Sequence, residues 1–154
     1  MNKKFKTLVI GATLATLAGG AFAQVVGKME DQIRWRQAAY HTMAWSMARI
    51  KANVEGAYNR EQVAEAANVI AALANAKMGA LYQPGSDKGR GFKETRLKPE
   101  FFASMDEVGK IAGAFNAAAN EMTKVAGDEA AAKAQFGKLG ESCKACHDKF
   151  RKPE

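Results

Sequence analysis

The sequence predicts an all-α protein, an antiparallel four-helix bundle, from three observations. After residue 23 the chain is rich in Ala, Met, Lys, Glu and Gln and poor in runs of β-branched residues, which favours helix. Apolar residues recur at alternating steps of three and four in four separate segments. Three connections join these segments, as in an antiparallel bundle, where cofactors lie in the core between facing helices.

The first residues have the pattern of an export signal. Three lysines within the first six residues precede an apolar and small-residue run over 7–20 and an Ala21-Phe22-Ala23 cleavage pattern. We expect a signal peptide over 1–23 and a mature bundle domain over 24–154. An uncleaved membrane anchor is the alternative, but nothing after Ala23 resembles a stop-transfer segment, so we expect no membrane attachment after cleavage.

The net charge is modest once the signal is removed. It falls from +7 for the whole chain to +4 for residues 24–154, which hold 20 basic and 16 acidic residues. No run of consecutive basic residues occurs, so we expect no nucleic-acid binding. The charge fits docking to an acidic redox partner, and it fits an ordinary solvated surface equally well.

The first two helices are predicted over 28–54 and 60–81. Gly56 follows the first, and Asn59 is a good N-cap for the second, with Gln62 as its capping-box partner. The second helix carries a stripe rich in alanine, which suits either close core packing or a dimer interface. The apolar seam of the first helix consists of Met29, Ile33, Arg36, Tyr40, Met43, Met47, Ile50 and Val54.

A long loop is predicted over 82–99, because helical periodicity stops there and prolines and glycines accumulate. The third helix is predicted over 99–126, with Phe102, Met105 and Val108 opening its apolar stripe. The fourth is predicted over 129–151, after an Asp128 N-cap.

The fourth helix carries the motif Cys143-Lys144-Ala145-Cys146-His147, whose C-x-x-C-H pattern is typical of c-type haem attachment. Residues three apart share a helix face, so both thiols can each bond one vinyl group at the porphyrin edge. His147 can then offer a neutral imidazole nitrogen to the iron. The sequence therefore predicts one covalent haem c per chain.

Three other readings of the two cysteines carry less weight. A structural zinc site needs about four ligands, and the chain has two Cys and two His, of which His41 lies off the inner seam. A thioredoxin-like pair belongs near a βαβ pattern, and no strands are evident. A disulfide leaves His147 without a role.

A C-x-x-C-H motif near the C-terminus of a four-helix chain resembles the class II cytochromes c and, within them, the cytochrome c′ family. The resemblance covers the mature chain and includes the Gln24 start, the Arg36-Gln37 pair, the Pro84-Gly85 loop and the ending from Cys143. It implies export to the periplasm and a homodimer through the first two helices.

The resemblance places Tyr40 opposite His147, at the position that holds methionine in low-spin members of the class. A bulky residue there implies five-coordinate, high-spin iron under a crowded distal face. Met43 and Met47 are alternative axial ligands, but methionine at helical spacing is more often core filler. We expect Met43 to pack beside the haem.

The resemblance also implies a set of haem-edge contacts. Phe102 stands where many relatives have Trp, so the aromatic wall is kept and an N–H donor is lost. Arg151, one turn after His147, matches a basic residue near the proximal face, although a solvated last-turn Arg is an equal alternative. The other residues that the resemblance implies as haem contacts are Tyr82, Glu94 and Thr95.

Arg36 interrupts the apolar seam, where an unpaired charge is costly. We expect it to bind a haem propionate through a charge-assisted bond, with Gln37 as a weaker hydrogen-bonding candidate. The alternative is an Arg whose head group reaches water.

The resemblance implies NO binding or scavenging, with CO bound more weakly. No catalytic acid–base pair stands out, so an enzyme is not expected. The alternative is a dedicated low-spin electron shuttle, with a redox partner that the sequence does not identify. A structural helical protein with a disulfide is a third hypothesis.

Overall fold

The structure, a computed structural model, describes residues 26–153, so the predicted signal peptide lies outside the described residues. Four long helices form the bundle: α1 (Met29–Glu55), α2 (Arg60–Asn75), α4 (Met105–Val125) and α5 (Glu129–Phe150). A 3₁₀ turn (Met78–Leu81) and a one-turn helix α3 (Glu100–Ala103) flank the long loop between α2 and α4. The four-helix prediction is confirmed.

Each long helix packs on its neighbours in the cyclic order α1, α2, α4, α5. The α1–α2 and α4–α5 contacts are extensive, whereas α1 and α5 touch each other sparingly. Within residues 26–153, no helix combines the length and apolar character that a membrane crossing needs.

The apolar core fills the half of the bundle where α1 ends and α5 begins. Small alanine side chains from α2 let its neighbours approach closely, so core packing accounts for most of the alanine stripe. The fully buried large side chains there are Ile50, Val63, Ile70, Met122 and Leu139.

The turns around α2 and α5 are fixed by side-chain caps. The Asn59 side chain accepts hydrogen bonds from the backbone N–H groups of Glu61 and Gln62, as predicted. The capping-box prediction is wrong, because Gln62 receives the Asn53 amide and the N–H of Asn59 donates to Asn53 Oδ1 instead. Asp128 caps α5 by accepting from the Ala131 N–H at 2.7 Å.

Two predicted helices are shorter than their periodicity suggests. The second ends at Asn75 rather than at residue 81, because Lys77 adopts a left-handed conformation (φ 53°) that breaks the α-helix. The third is interrupted at Ser104 (φ −126°, ψ 37°), which separates α3 from α4. Met105 is consequently 54% exposed instead of opening a buried stripe.

Candidate haem site

The C-x-x-C-H motif lies on the last two turns of α5. Cys143 and Cys146 are both half-buried and free, and burial raises the pKa of each thiol. His147 is exposed, and the pKa of its imidazole is lowered by partial burial and by the charges of Arg151 and Arg96. A neutral imidazole is the form that binds iron.

Tyr40 on α1 and Tyr82 at the end of the 3₁₀ turn share the space that the cysteines face. The Tyr82 hydroxyl donates a hydrogen bond to the Tyr40 hydroxyl at 2.9 Å. Burial raises the pKa of both phenols, and the neighbouring Cys146 raises both further.

The Arg36 guanidinium is buried, with 4% exposure, and its hydrogen bonds go to the long loop. Nη1 donates to the Leu81 carbonyl at 3.1 Å and to Ser86 Oγ at 2.8 Å. Nη2 donates to the Ser86 carbonyl and to Thr95 Oγ1 at 3.0 Å. The group also lies 4.6 Å from the centre of the Tyr82 ring.

The alternative of a water-exposed Arg36 is therefore wrong, because the loop covers its head group. Burial lowers the pKa of Arg36, while Tyr82, Tyr40 and Asp87 raise it. A guanidinium keeps its charge despite such a shift. The expected bond from Arg36 to a propionate stays a prediction.

Gln37 forms hydrogen bonds with the backbone of the same loop at residues 92 and 93. Its Oε1 accepts the N–H of Phe92 at 2.8 Å, and its Nε2 donates to the Lys93 carbonyl at 2.9 Å. Gly91 lies so close to α1 that an added Cβ would stand 2.6 Å from the backbone nitrogen of Arg34. The Arg36-Gln37 pair thus attaches the loop to α1 at two points.

The other pocket residues carried over from the resemblance are placed unevenly. Thr95 is half-buried beneath Arg36, whereas the Glu94 side chain is 73% exposed and lies 3.9 Å from Arg90. Met43 is buried in α1 with 6% exposure. Arg151 is exposed at the end of α5.

The aromatic wall depends on Phe101 more than on the predicted Phe102. Phe101 is buried, stacks on Tyr82 with ring centres 4.8 Å apart, and meets Phe150 edge-to-face at 5.6 Å. Phe102 is half-buried and touches the edge of Phe101 at 5.4 Å. The break at Ser104 lets α3 turn independently of α4, which a single continuous helix would not allow.

The strand-like segment after Thr95 holds the end of α5. Lys98 N–H donates to the Phe150 carbonyl at 2.9 Å, and Lys152 N–H donates to the Arg96 carbonyl at 2.8 Å. The Arg96 guanidinium returns two hydrogen bonds to the Lys152 carbonyl. Sequence reasoning missed this pairing because its two segments are more than 50 residues apart.

The donor set fits haem c and does not fit zinc. Two thiols three residues apart and an adjacent imidazole lie on α5, which contacts α1 only sparingly. In the described part of the chain, no group of three or more His, Cys, Asp or Glu side chains could hold a metal ion. Cys143, Cys146 and His147 are therefore the residues that would hold the haem and its iron.

Comparison with known proteins gives a consistent result. The family described as Cytochrome C′ matches residues 31–151. A cytochrome c′ from Allochromatium vinosum is 56% identical over 153 residues, covering 98% of this chain and 99% of the relative. A cytochrome c′ from Rhodocyclus tenuis is 52% identical over 130 residues, 82% of this chain and 98% of the relative.

Solved structures agree. A cytochrome c′ with an unusual ligand-controlled dimer dissociation has a TM-score of 0.80 and 53% identity, covering 84% of this chain and all of that chain. The nitric oxide complex of a mutant cytochrome c′ from Alcaligenes xylosoxidans has a TM-score of 0.73 and 30% identity, covering 83% and 98%. Together with the motif formed by Cys143, Cys146 and His147, these similarities show that the chain belongs to the cytochrome c′ family of haem c proteins.

Proposed function

We propose that this chain is a periplasmic gas-binding haem protein with five-coordinate, high-spin iron. His147 is the single protein ligand, and NO and CO bind on the side covered by Tyr40. NO scavenging and electron transfer are the proposed roles. When bound, the haem supplies an iron that takes a diatomic ligand and can gain or lose one electron.

The observation that carries this proposal is the state of Tyr40. A tyrosine hydroxyl keeps its proton at neutral pH, and burial, which raises the pKa of Tyr40, acts in the same direction. A protonated phenol that is hydrogen-bonded to Tyr82 is a poor competitor for iron, because tyrosine ligates haem iron as a phenolate. The ring covers the site without closing it permanently.

The surroundings of Tyr40 favour a ring that moves aside when a ligand arrives. Tyr82 is fixed between Phe101 and the Arg36 guanidinium, so it offers a stationary hydrogen-bond partner to Tyr40. Tyr40 is held at its hydroxyl by this hydrogen bond. Opening the site then costs about one hydrogen bond, 0.5–1.5 kcal/mol.

The low-spin shuttle is not favoured, because no methionine stands at position 40 and Met43 is buried one turn further along α1. We propose ligand binding and electron transfer, rather than catalysis, as the roles.

A homodimer through α1 and α2 belongs to the same proposal. Trp45 on α1 is 58% exposed, and the Arg49 guanidinium lies 5.1 Å from its ring centre. Arg49 also reaches Glu65 on α2 at 2.7 Å, so the exposed indole is presented on a surface shared by both helices. A tryptophan held in this way is a typical interface anchor.

The test compares the ferric and ferrous holoprotein with a Tyr40→Met variant by visible spectroscopy during NO and CO titration. The wild type should have a high-spin spectrum that shifts on gas addition. Tyr40→Met should become low-spin and bind CO more slowly, since the thioether would occupy the sixth position. A matched Met43→Leu variant should keep the wild-type behaviour.

A low-spin wild-type spectrum that ignores CO and NO would contradict the proposal. So would a Met43→Leu variant that alone converts the protein from low spin to high spin, because Met43 would then be the ligand.

A further inference from the structure

The positive charge of this protein is concentrated in two segments. Residues 88–98 and 144–152 contain nine lysines and arginines and two carboxylates. The rest of the chain from 26 to 153 contains eleven basic and thirteen acidic residues. A generally solvated surface does not account for such an uneven distribution.

The two segments are adjacent in the fold. Backbone hydrogen bonds join Lys98 to Phe150 and Lys152 to Arg96, at 2.9 and 2.8 Å. Leu97 and Arg151 form an antiparallel bridge between them. The bridge brings Arg96, Lys98, Arg151 and Lys152 together. Three other cations of these segments, Arg90, Lys144 and Lys149, are each ion-paired with a carboxylate, that of Glu94, Asp148 and Glu107 respectively. The surface that the two segments form is called the basic surface below, and its cations are Lys88, Arg90, Lys93, Arg96, Lys98, Lys144, Lys149, Arg151 and Lys152.

Part of the basic surface is concave and reaches the iron ligand. A surface pocket there is lined by both basic segments and by the imidazole of His147. Lys144 lies between the two cysteines of the attachment motif, and Lys149 follows His147 by two residues. A protein seated on this surface would lie next to the haem attachment point.

Phe92 adds an exposed aromatic ring to the basic surface, on a loop that is hydrogen-bonded to α1. Its side chain is 58% exposed, although Gln37 holds the backbone at residues 92 and 93. The Arg34 guanidinium lies 5.9 Å from the ring centre, and Arg90 and Lys93 flank it in sequence. An exposed aromatic ring on a rigid loop among cations is a typical interface anchor.

We propose that the basic surface, together with the exposed Phe92 ring, is the docking site for an acidic one-electron redox protein. A protein partner fits better than a lipid surface, because Phe92 is the one large exposed hydrophobic side chain in these two segments. This inference rests on the haem assigned above and on the electron-transfer part of the proposed function.

The direct test uses fully reduced flavodoxin, an acidic donor, and the ferric holoprotein. Flavodoxin loses one electron and the ferric haem gains it. The second-order reduction rate should fall steeply between about 10 mM and about 200 mM salt, because screening shortens the Debye length from about 30 Å to under 10 Å. Steered associations commonly vary by about tenfold or more over such a range.

Charge reversal locates the docking site. Lys93→Glu with Lys152→Glu should slow reduction at low salt by about tenfold. Lys133→Glu with Lys138→Glu makes the same change in net charge on exposed residues of α5 outside the basic surface, and it should slow reduction less than about threefold. Equal slowing by both pairs would overturn the inference, because net charge alone would then control association.

A second measurement does not depend on electron transfer. Carbodiimide cross-linking of the same two proteins should join flavodoxin carboxylates to lysines of the basic surface and leave Lys133 and Lys138 unlinked. Cross-links spread evenly over all lysines would overturn the inference. So would tight, Lys93- and Lys152-dependent binding to phosphatidylglycerol vesicles without cross-linking to flavodoxin, since the surface would then fit lipid.

Failure of the inference is separable from failure of the proposed function. Dithionite, a small reductant that needs no docking surface, should reduce the haem equally in all variants. If dithionite left the haem oxidised, the electron-transfer role would fail. If dithionite reduced every variant while flavodoxin ignored the basic surface, docking alone would fail.

Discussion

The two ends of the bundle are held together by different physics. At the core end, side chains of α1, α2, α4 and α5 interlock with little polar content, as with Ile70, Met122 and Leu139. At the haem end, Arg36, Gln37 and Tyr82 attach a long loop to α1 through hydrogen bonds and ring contacts. The core end is stabilised by the burial of apolar side chains away from water, and the haem end is stabilised by hydrogen bonds between polar groups.

The difference indicates how the fold combines a rigid frame with an adjustable site. Close apolar packing fixes the relative positions of the helices, because an interior at native density leaves few alternative arrangements. The Tyr40–Tyr82 hydrogen bond involves none of the side chains of that packing. Under the proposed function, ligand entry is controlled at the haem end while the core end keeps the helices in place.

The largest effect on global stability is expected at the core end. Leu139 is fully buried, so Leu139→Ala removes buried methyl groups and leaves a cavity. The free energy of unfolding should fall by about 2–5 kcal/mol, measured by urea denaturation of the holoprotein. The haem spectrum at low urea should not change. Lys138→Ala on the exposed face of the same helix should change stability by less than about 0.5 kcal/mol.

A smaller, localised effect is expected at Arg36. Arg36→Met leaves the Leu81 and Ser86 carbonyls and the Thr95 hydroxyl without this donor. Of these residues only Ser86 is fully buried, so the free energy of unfolding should fall by about 1–3 kcal/mol. Amide hydrogen exchange should speed up over residues 81–95, while protection in α4 is kept.

Arg34→Met is the matched control for Arg36. Arg34 pairs with Asp31 on the exposed side of α1, so its removal should cost less than about 1 kcal/mol. Loss of protection spread evenly over all four long helices in Arg36→Met would show that the two ends are not separable.

The sequence predicted the long helices better than the segment between α2 and α4. The bounds of α1 were predicted to within a residue at each end, because a sustained apolar seam and Gly56 are local signals. The end of α2 was missed because Lys77 adopts a left-handed conformation that usually requires Gly or Asn. The break at Ser104 likewise has no proline or glycine to indicate it.

The partners of Arg36 could not be predicted for a different reason. The sequence identifies a charge in an apolar seam and therefore a need for partners, but the groups that satisfy it lie 45 to 59 residues away. The role of Phe101 was missed as well, because the apolar stripe of the third predicted helix indicated Phe102 instead. Long-range contacts of this kind depend on how the loop folds back, which periodicity does not encode.

The hydrogen bond between the two tyrosines predicts a moderate kinetic effect. Tyr82→Phe removes the donor to Tyr40, and CO association with the ferrous holoprotein should speed up by up to about tenfold. Tyr58→Phe is the control, because the Tyr58 hydroxyl donates to the Ala126 carbonyl at the other end of the bundle. Its CO association rate, measured by stopped flow, should match that of the wild type.

The smallest expected effect is on the alkaline limit of stability. The pKa values of Tyr40, Tyr58 and Tyr82 are all raised above 10.0, chiefly by burial, and that of Tyr82 is raised most clearly. The folded state therefore holds these protons more tightly than the unfolded state. Their contribution is complete below about pH 10 and is lost as the pH rises towards the folded-state pKa values.

This expectation is tested by measuring the free energy of unfolding of each variant between pH 9 and pH 11 and comparing it with that of the wild type. Tyr82→Phe should reduce the alkaline loss of stability more than Tyr58→Phe does. An equal reduction would mean that the haem end encloses its tyrosines no more than the core end does.

Resonance Raman spectroscopy of the purified ferric and ferrous holoprotein tests the central claim most directly, because its marker bands report the coordination number and spin state of the iron. The account predicts five-coordinate, high-spin iron in both oxidation states at neutral pH, with His147 as its one protein ligand. A six-coordinate, low-spin spectrum, with Tyr40 or a methionine bound in both oxidation states, would contradict it.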